Sequence, residues 1–109
     1  MATEIECYKT YFSGNNRVVV ALSDSTSGTS NWDYYINMTS ATQWHLLQGT
    51  DEMSINPNTY STSTPHKAKI VLTESGGSIT DCKYYVNDVE VTPSFSFVGK
   101  GNPLSLIHI

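Results

Sequence analysis

The sequence contains few charged residues, and this scarcity argues against one large class of functions. Asp, Glu, Lys and Arg make up 15% of the 109 residues, whereas about a quarter is usual in soluble domains. Only six residues are Lys or Arg, they are scattered along the chain, and the net charge is −4. Nucleic-acid binding needs a basic face that displaces counterions from phosphates, so we expect no nucleic-acid partner.

The chain also lacks long apolar runs. None reaches the roughly 18 residues that a membrane-spanning helix requires, and the first residues, MATEIECYKTYF, lack the cationic and apolar regions of a secretory signal peptide. We therefore expect no membrane insertion and no export by the general secretory route. The localisation stays open, with a virion or cell surface as one candidate.

Cysteine and histidine are scarce. Cys7 and Cys82 permit one disulfide, but a free Cys also packs as a small apolar residue in a reducing compartment, and we favour two buried thiols. His45 and His66 are 21 residues apart without a third ligand at a metal-like interval, and no nucleophile signature accompanies them. The sequence therefore predicts no catalytic residue, no metal and no cofactor.

Hydroxyl and amide side chains are abundant instead. Ser and Thr occupy 27 positions and Asn occupies eight, a balance common in secreted, virion-surface and adhesive β proteins. The length suits one domain with a modest core, which we place at residues 1–103.

The clearest pattern is an internal repeat with a spacing of 50 residues. VALSDSTSGTSNWDYYIN (20–37) aligns without a gap with IVLTESGGSITDCKYYVN (70–87), and ten of the 18 positions are identical or similar. A thinner match extends the two copies to 17–49 and 67–99. A short repeat of this kind marks a supersecondary unit that needs a neighbour to bury its apolar face.

Short β-branched and aromatic runs, separated by Ser, Gly, Thr and Asn, predict an all-β chain. The turn spacing is typical of an antiparallel β-sandwich or a small barrel with about eight short strands. The predicted strands span 3–12, 17–23, 32–38, 43–48, 53–56, 67–73, 82–87 and 94–99.

The repeat resembles part of an immunoglobulin-like β-sandwich of the bacterial or phage type. Residues 17–23 and 67–73 correspond to strands B and E, while Trp32 takes the place of the core tryptophan on strand C and 82–87 correspond to strand F. The resemblance implies that each repeat crosses from one sheet to the other. It departs from the family at the B-like strand, which lacks the cysteine of the inter-sheet disulfide.

Two other folds share parts of this pattern. The stretch CYKTYFSG resembles the aromatic-to-glycine corner of βγ-crystallins, but Cys7 stands where an aromatic residue is expected, and no second copy follows. A β-trefoil uses units of similar size, but it needs three units and the sequence has two. Both folds stay open as alternatives.

One constellation of side chains suits ligand recognition. Strand alternation turns Tyr34 and Tyr84 inward and Tyr35 and Tyr85 toward solvent. On the immunoglobulin-like mapping, the two outward tyrosines lie close together in one sheet, and Tyr and Asn side chains suit the recognition of protein or sugar. The candidate ligand-binding residues are Tyr35, Tyr85, Asn37, Asn87, Asp33 and Lys83. The alternative is a cross-strand aromatic pair that only stabilises the sheet.

The last six residues, LSLIHI, match the translation of a transposon-based sequencing adapter. We therefore expect residues 104–109 to be adapter read-through and the natural protein to continue beyond them. An ordinary apolar last strand is the alternative.

These features favour a non-enzymatic module for adhesion, display or assembly, for example in a phage or bacterial surface structure, with a protein or glycan surface as its partner. One alternative is a small lectin, in which tyrosines stack on a sugar ring. Another is a truncated fragment whose activity lies elsewhere. An uncovered edge strand would also permit self-association.

Overall fold

The computed structural model describes residues 3–11, 18–23, 34–61, 65–76, 78–101 and 105–108. Within these ranges the regular structure is β, apart from one 3-10 turn at Pro57–Thr59, so the all-β prediction is confirmed. The strands are β1 (Thr3–Tyr11), β2 (Val18–Ser23), β3 (Tyr34–Met38), β4 (Trp44–Gln48), β5 (Asp51–Ile55), β6 (His66–Ser75), β7 (Ser78–Val86), β8 (Val89–Val91), β9 (Lys100–Gly101) and β10 (Ser105–His108).

The strands form two antiparallel sheets. The first sheet has the order β1-β6-β7-β8, and β9 also pairs with β7. The second sheet has the order β10-β2-β3-β4-β5. The chain thus starts in the first sheet, builds most of the second as a meander, and then returns to the first.

Seven of the predicted strands overlap observed ones, but the predicted count of eight is wrong, because the described residues hold ten. The segment 94–99 is not a strand, although its Phe-Ser-Phe alternation suggested one. β8 and β9 were not expected, whereas β10 corresponds to the apolar last strand that was the alternative to the adapter interpretation. The adapter interpretation of 104–109 stays a prediction. Within that segment Ser105–His108 pairs with β2.

The two repeats form similar hairpins, and the expectation that each repeat crosses between sheets is wrong. β2 pairs with β3 inside the second sheet, and β6 pairs with β7 inside the first. Strands consecutive in sequence usually pair as neighbours, and the tight turn at Gly76, with φ of 60°, joins β6 directly to β7. The registers differ by two residues, since Leu22 lies opposite Tyr34 whereas Ile70 lies opposite Tyr84.

Side chains from both sheets share one core. The described inward positions predicted for β3, β6 and β7 are buried, except Cys82, which is half-buried. The prediction for the opposite face fails in β3, where Tyr35 is buried as well. The core residues that are fully or almost fully buried are Tyr34, Ile36, Met38, Trp44, Leu46, Ala68, Ile70, Leu72, Ile79, Tyr84, Val86 and Val91. Trp32, the expected core tryptophan, lies outside the described residues.

The equivalent tyrosines of the two repeats, Tyr34 and Tyr84, make similar contacts. The Tyr84 hydroxyl donates to the backbone oxygen of Leu47 in β4 over 2.7 Å. The Tyr34 hydroxyl donates to the backbone oxygen of Val98 over 2.8 Å. Each buried ring thereby satisfies its polar end on a segment far away in sequence, as buried tyrosines usually do.

Candidate functional site

The predicted pair of outward tyrosines is not formed. Tyr35 lies in β3 of the second sheet and Tyr85 in β7 of the first, so they cannot build one surface together. Tyr35 is also only 6% exposed, which corrects its expected position in solvent. β3 is the middle strand of five, and Tyr35 lies in register between Ala21 and Leu47. Since Leu47 is buried too, this part of the second sheet is covered on both faces.

The other predicted site residues do not form one surface either. Asp33 lies outside the described residues. Asn37 is half-buried in β3, where its Oδ1 atom is buried and has no hydrogen-bond partner among the described residues. Lys83 is exposed on β7 near Tyr85, so these two members of the predicted set do share a surface.

Asn87 has a structural position rather than the expected open one. With Asp88 it forms the two-residue turn between β7 and β8, and both residues have positive φ, 53° and 67°, as a type I′ hairpin turn requires. The Asn87 side-chain oxygen accepts from the Lys67 backbone N–H over 2.9 Å. Its amide nitrogen lies 3.0 Å from Nδ1 of His66. The side chain therefore ties the turn to the start of β6.

Two of the three histidines, His45 and His66, have defined partners inside the fold. His66 is 2% exposed, and its Nε2 lies 3.1 Å from Oδ1 of Asn58. Because the Asn87 amide donates to Nδ1, the proton of neutral His66 is on Nε2. His45 contacts Glu52 at 2.8 Å and Ser54 at 3.0 Å, both through Nδ1. A catalytic triad needs the two partners on different ring nitrogens, so this cluster does not form a relay.

The outer face of the first sheet carries a shallow groove, which we call the charged groove. Its volume is about 160 Å³, and its lining consists of Glu4, Glu6, Lys69, Val71, Thr73, Lys83 and Tyr85. Lys69 lies at its centre: its Nζ is 4.6 Å from the centroid of the Tyr85 ring and 3.6 Å from a carboxylate oxygen of Glu6. One half-buried aromatic ring thus stands among charges of both signs on an open sheet face.

Residues 92–99, which we call the strap, leave the first sheet after β8 and cross toward the second. Gln48, at the end of β4, holds the strap with both ends of its side-chain amide. Its Nε2 donates to the backbone oxygen of Ser96, and its Oε1 accepts from the backbone N–H of Val98, each over 2.9 Å. A single buried amide therefore supplies the hydrogen bonds that a neighbouring strand would otherwise make.

Two phenylalanines of the strap pack against the repeat tyrosines. Phe95 meets Tyr84 edge-on at 6.3 Å between ring centroids, and Phe97 stacks on Tyr34 at 6.0 Å. Between the strap and β7 is a cleft of about 230 Å³. The cleft is lined by Gln48, Asp81, Cys82, Lys83, Tyr84, Glu90, Val91, Thr92, Pro93, Phe95 and Phe97.

Cys82 lines this cleft as a free thiol. Cys7 lies opposite Ile70, and Cys82 lies opposite Leu72, so the whole width of β6 separates the two cysteines. Two strand spacings amount to about 9.6 Å, beyond the roughly 7 Å between Cα atoms that a disulfide tolerates. The disulfide that the sequence permitted is not formed.

We expect the stability of the protein to fall above pH 9. Burial raises the pKa of the Cys82 thiol from 9.0 to about 12, and burial also raises the pKa of Tyr84 above its ordinary 10.0. Both groups stay protonated in the folded chain while the unfolded chain loses the protons, so stability is complete below pH 9 and declines as pH rises. The Cys82 contribution alone amounts to about 1.4 kcal/mol per pH unit.

Urea unfolding at intervals between pH 8 and pH 11 measures this decline. The Cys82→Ala variant should lose stability less steeply with pH than the wild type over this range. Parallel pH profiles for the two proteins would contradict the buried placement of the thiol.

Comparison with known proteins and a search for metal-ligand clusters and membrane-spanning helices give no positive indication of function. No family model, curated protein or solved structure matches the chain. Among the described residues, no three His, Cys, Asp or Glu side chains come together as a metal site would require. In the same part of the chain, no helix has the length and apolar character needed to cross a membrane.

Proposed function

We propose that the two sheets form a β-sandwich and that the chain is a non-enzymatic module for adhesion, display or assembly. The charged groove supports this proposal best. It presents Tyr85, Lys83 and Lys69 on the face of a sheet whose opposite face packs in the core. Tyr gives a broad amphipathic contact at low entropic cost, and nearby charges of both signs set orientation and partner choice.

Of the immunoglobulin-like resemblance, the proposal keeps the sandwich but not the strand pairing. The family mapping required the strands of each repeat to lie in different sheets, whereas β2 pairs with β3 and β6 pairs with β7. The proposed function therefore relies on the surface of this chain and not on a family analogy. A phage or bacterial surface structure is the setting that the Ser-, Thr- and Asn-rich composition suits.

A small lectin is the second candidate, and the environment of Tyr85 is the observation that favours it. An aromatic ring can stack on the apolar face of a sugar, while Glu6 and Lys69 offer an acceptor and a donor for sugar hydroxyls beside the ring. This version needs only one tyrosine, because Tyr35 is buried in the other sheet.

Arrays of glycans and of immobilised surface proteins test both versions with one set of variants. We expect binding by the wild type to fall at least about tenfold in Tyr85→Ala and to persist in Tyr85→Phe, which keeps the ring. Thr42→Ala, an exposed substitution away from the groove, is the matched control. Loss on the glycan array favours the lectin, and loss on the protein array favours the adhesion module.

The bound ligand should be recovered with its mass unchanged after long incubation. Binding that is equal in the wild type and in Tyr85→Ala would show that the charged groove is not the recognition surface. Conversion of the ligand would show that the module is an enzyme.

A further inference from the structure

The edge of β7 has a gap between two short partners. β8 pairs with β7 at Tyr84, Tyr85 and Val86, and β9 pairs with it at Ser78 and Ile79. The intervening residues, 80–83, have no strand partner on this side among the described residues. The chain that would have filled the gap leaves it as the strap.

The backbone groups of Cys82 face this gap. Val86 and Val89 close a two-residue turn, so they form a hydrogen-bonded pair, and alternation makes Tyr84 and Val91 the next such pair. The following pair would join Cys82 to residue 93. That residue is Pro93, which has no N–H to donate and ends the ladder.

The side chains around the gap define what could enter it. A residue placed opposite Cys82 would turn its side chain to the same face as the Cys82 side chain, which is the face that lines the cleft. There it would meet Val91, Phe95 and Phe97. Phe97 is 39% exposed, so apolar surface is left uncovered at this point. The volume of about 230 Å³ suits one large apolar side chain.

We propose that this gap binds an extended peptide segment, which pairs antiparallel with Cys82 and inserts one apolar side chain into the cleft. A peptide is the occupant because the N–H and C=O of Cys82 face the gap without a strand partner among the described residues, and a peptide residue supplies the matching acceptor and donor. Addition of a strand to a free sheet edge is a recurrent mode of peptide recognition. The site shares Lys83 with the charged groove, but it lies at the edge of the sheet and does not depend on the function proposed for that groove.

The neighbouring charges predict the order of residues in the peptide. Within an antiparallel segment, the residue before the apolar one lies opposite Lys83, and the residue after it lies opposite Asp81. Neither Lys83 nor Asp81 forms an ion pair with another residue in the described ranges. An acidic–apolar–basic order therefore complements the gap, and the reversed order opposes it.

NMR titration with short peptides tests the proposal, with the tripeptide ELK-amide as the probe. Three residues are used because Val91 and Lys100 already occupy the positions opposite Tyr84 and Ile79. Before peptide is added, the Cys82 amide should exchange with solvent at least about tenfold faster than the Tyr84 amide. The probe should slow exchange at Cys82 and shift the signals of Phe95 and Phe97. A protected Cys82 amide in the free protein at low concentration would overturn the proposal.

Three matched peptides separate the contributions of the charge order, the apolar side chain and the backbone hydrogen bond to binding. The reversed peptide, KLE-amide, has the same composition and should bind about threefold more weakly. Replacement of the central leucine by serine should weaken binding about tenfold, and N-methylation of that leucine should abolish the protection of Cys82. Equal binding of all four peptides, or of none, would overturn the assignment.

The Pro93→Val variant provides an internal competitor. It restores the missing N–H, so β8 should extend by two residues, protect the Cys82 amide and exclude the probe. Probe binding by Pro93→Val that equals the wild type would contradict the site. Protection that rises with protein concentration in the absence of peptide would identify a second copy of the chain as the occupant and overturn the proposed peptide partner.

Discussion

Replacement of Trp44 by alanine should destabilise the protein by about 3 to 5 kcal/mol, the range for removal of a large aromatic side chain from a core. Trp44 is 0% exposed and meets His66 edge-on at 5.9 Å between ring centroids. Its indole N–H also donates to the backbone oxygen of Ser40 over 3.0 Å. The substitution therefore removes contacts between the sheets and leaves a buried cavity.

Chemical denaturation of the wild type, Trp44→Ala and Trp44→Phe measures this effect. Phenylalanine keeps part of the ring volume but cannot donate to Ser40, so Trp44→Phe should fall between the other two proteins. A loss below about 1 kcal/mol for Trp44→Ala would be inconsistent with a core position.

Replacement of Gln48 by alanine should cost about 2 kcal/mol and release the strap. Gln48 is 7% exposed, and both of its amide atoms bond to the strap backbone. Each of these hydrogen bonds contributes about 1 kcal/mol net to the free energy of unfolding. The Ser96 carbonyl and the Val98 N–H, left without their partners in a partly buried site, add to the loss. The same variant should speed amide exchange at Val98, because the acceptor of its N–H is removed.

Gln48→Glu serves as a partial replacement in this experiment, and Gln43→Ala serves as an exposed control. Glutamate keeps the acceptor for Val98 but places a carboxylate oxygen against the carbonyl of Ser96, so part of the loss should remain. Gln43 is exposed, and its replacement by alanine should stay within about 0.5 kcal/mol of the wild type. Unchanged exchange at Val98 in Gln48→Ala would contradict the role assigned to this amide.

Local patterns in the sequence were sufficient to predict seven of the ten strands in the described residues and most of their inward positions. Alternation assigned Tyr34, Ile36, Tyr84 and Val86 to the interior, and all four are buried. This works because side chains alternate strictly between the two faces of a strand. The pairing of strands was not predictable in the same way, since period-2 alternation says which face is apolar but not which strand lies alongside.

The candidate site illustrates the same limit. Tyr35 and Tyr85 were expected together because the immunoglobulin-like mapping placed their strands side by side in one sheet, yet they lie in different sheets. Part of the strap was mistaken for a strand because Phe95 and Phe97 alternate with serine. In the structure, the strap backbone bonds to the side-chain amide of Gln48 and not to a neighbouring strand. A long-range contact of this kind leaves no local pattern. The one local signal for the gap at β7 was Pro93, which follows an apolar run and ends its pairing.

The position of β1 has a mechanical consequence for the adhesive role proposed above. β1 pairs with β6 over nine consecutive positions, from Thr3 opposite Glu74 to Tyr11 opposite His66. Tension applied at Thr3 along the strand acts at right angles to the hydrogen bonds between these two strands. The whole ladder then carries the load in shear, and rupture requires its bonds to fail nearly together instead of peeling apart one by one.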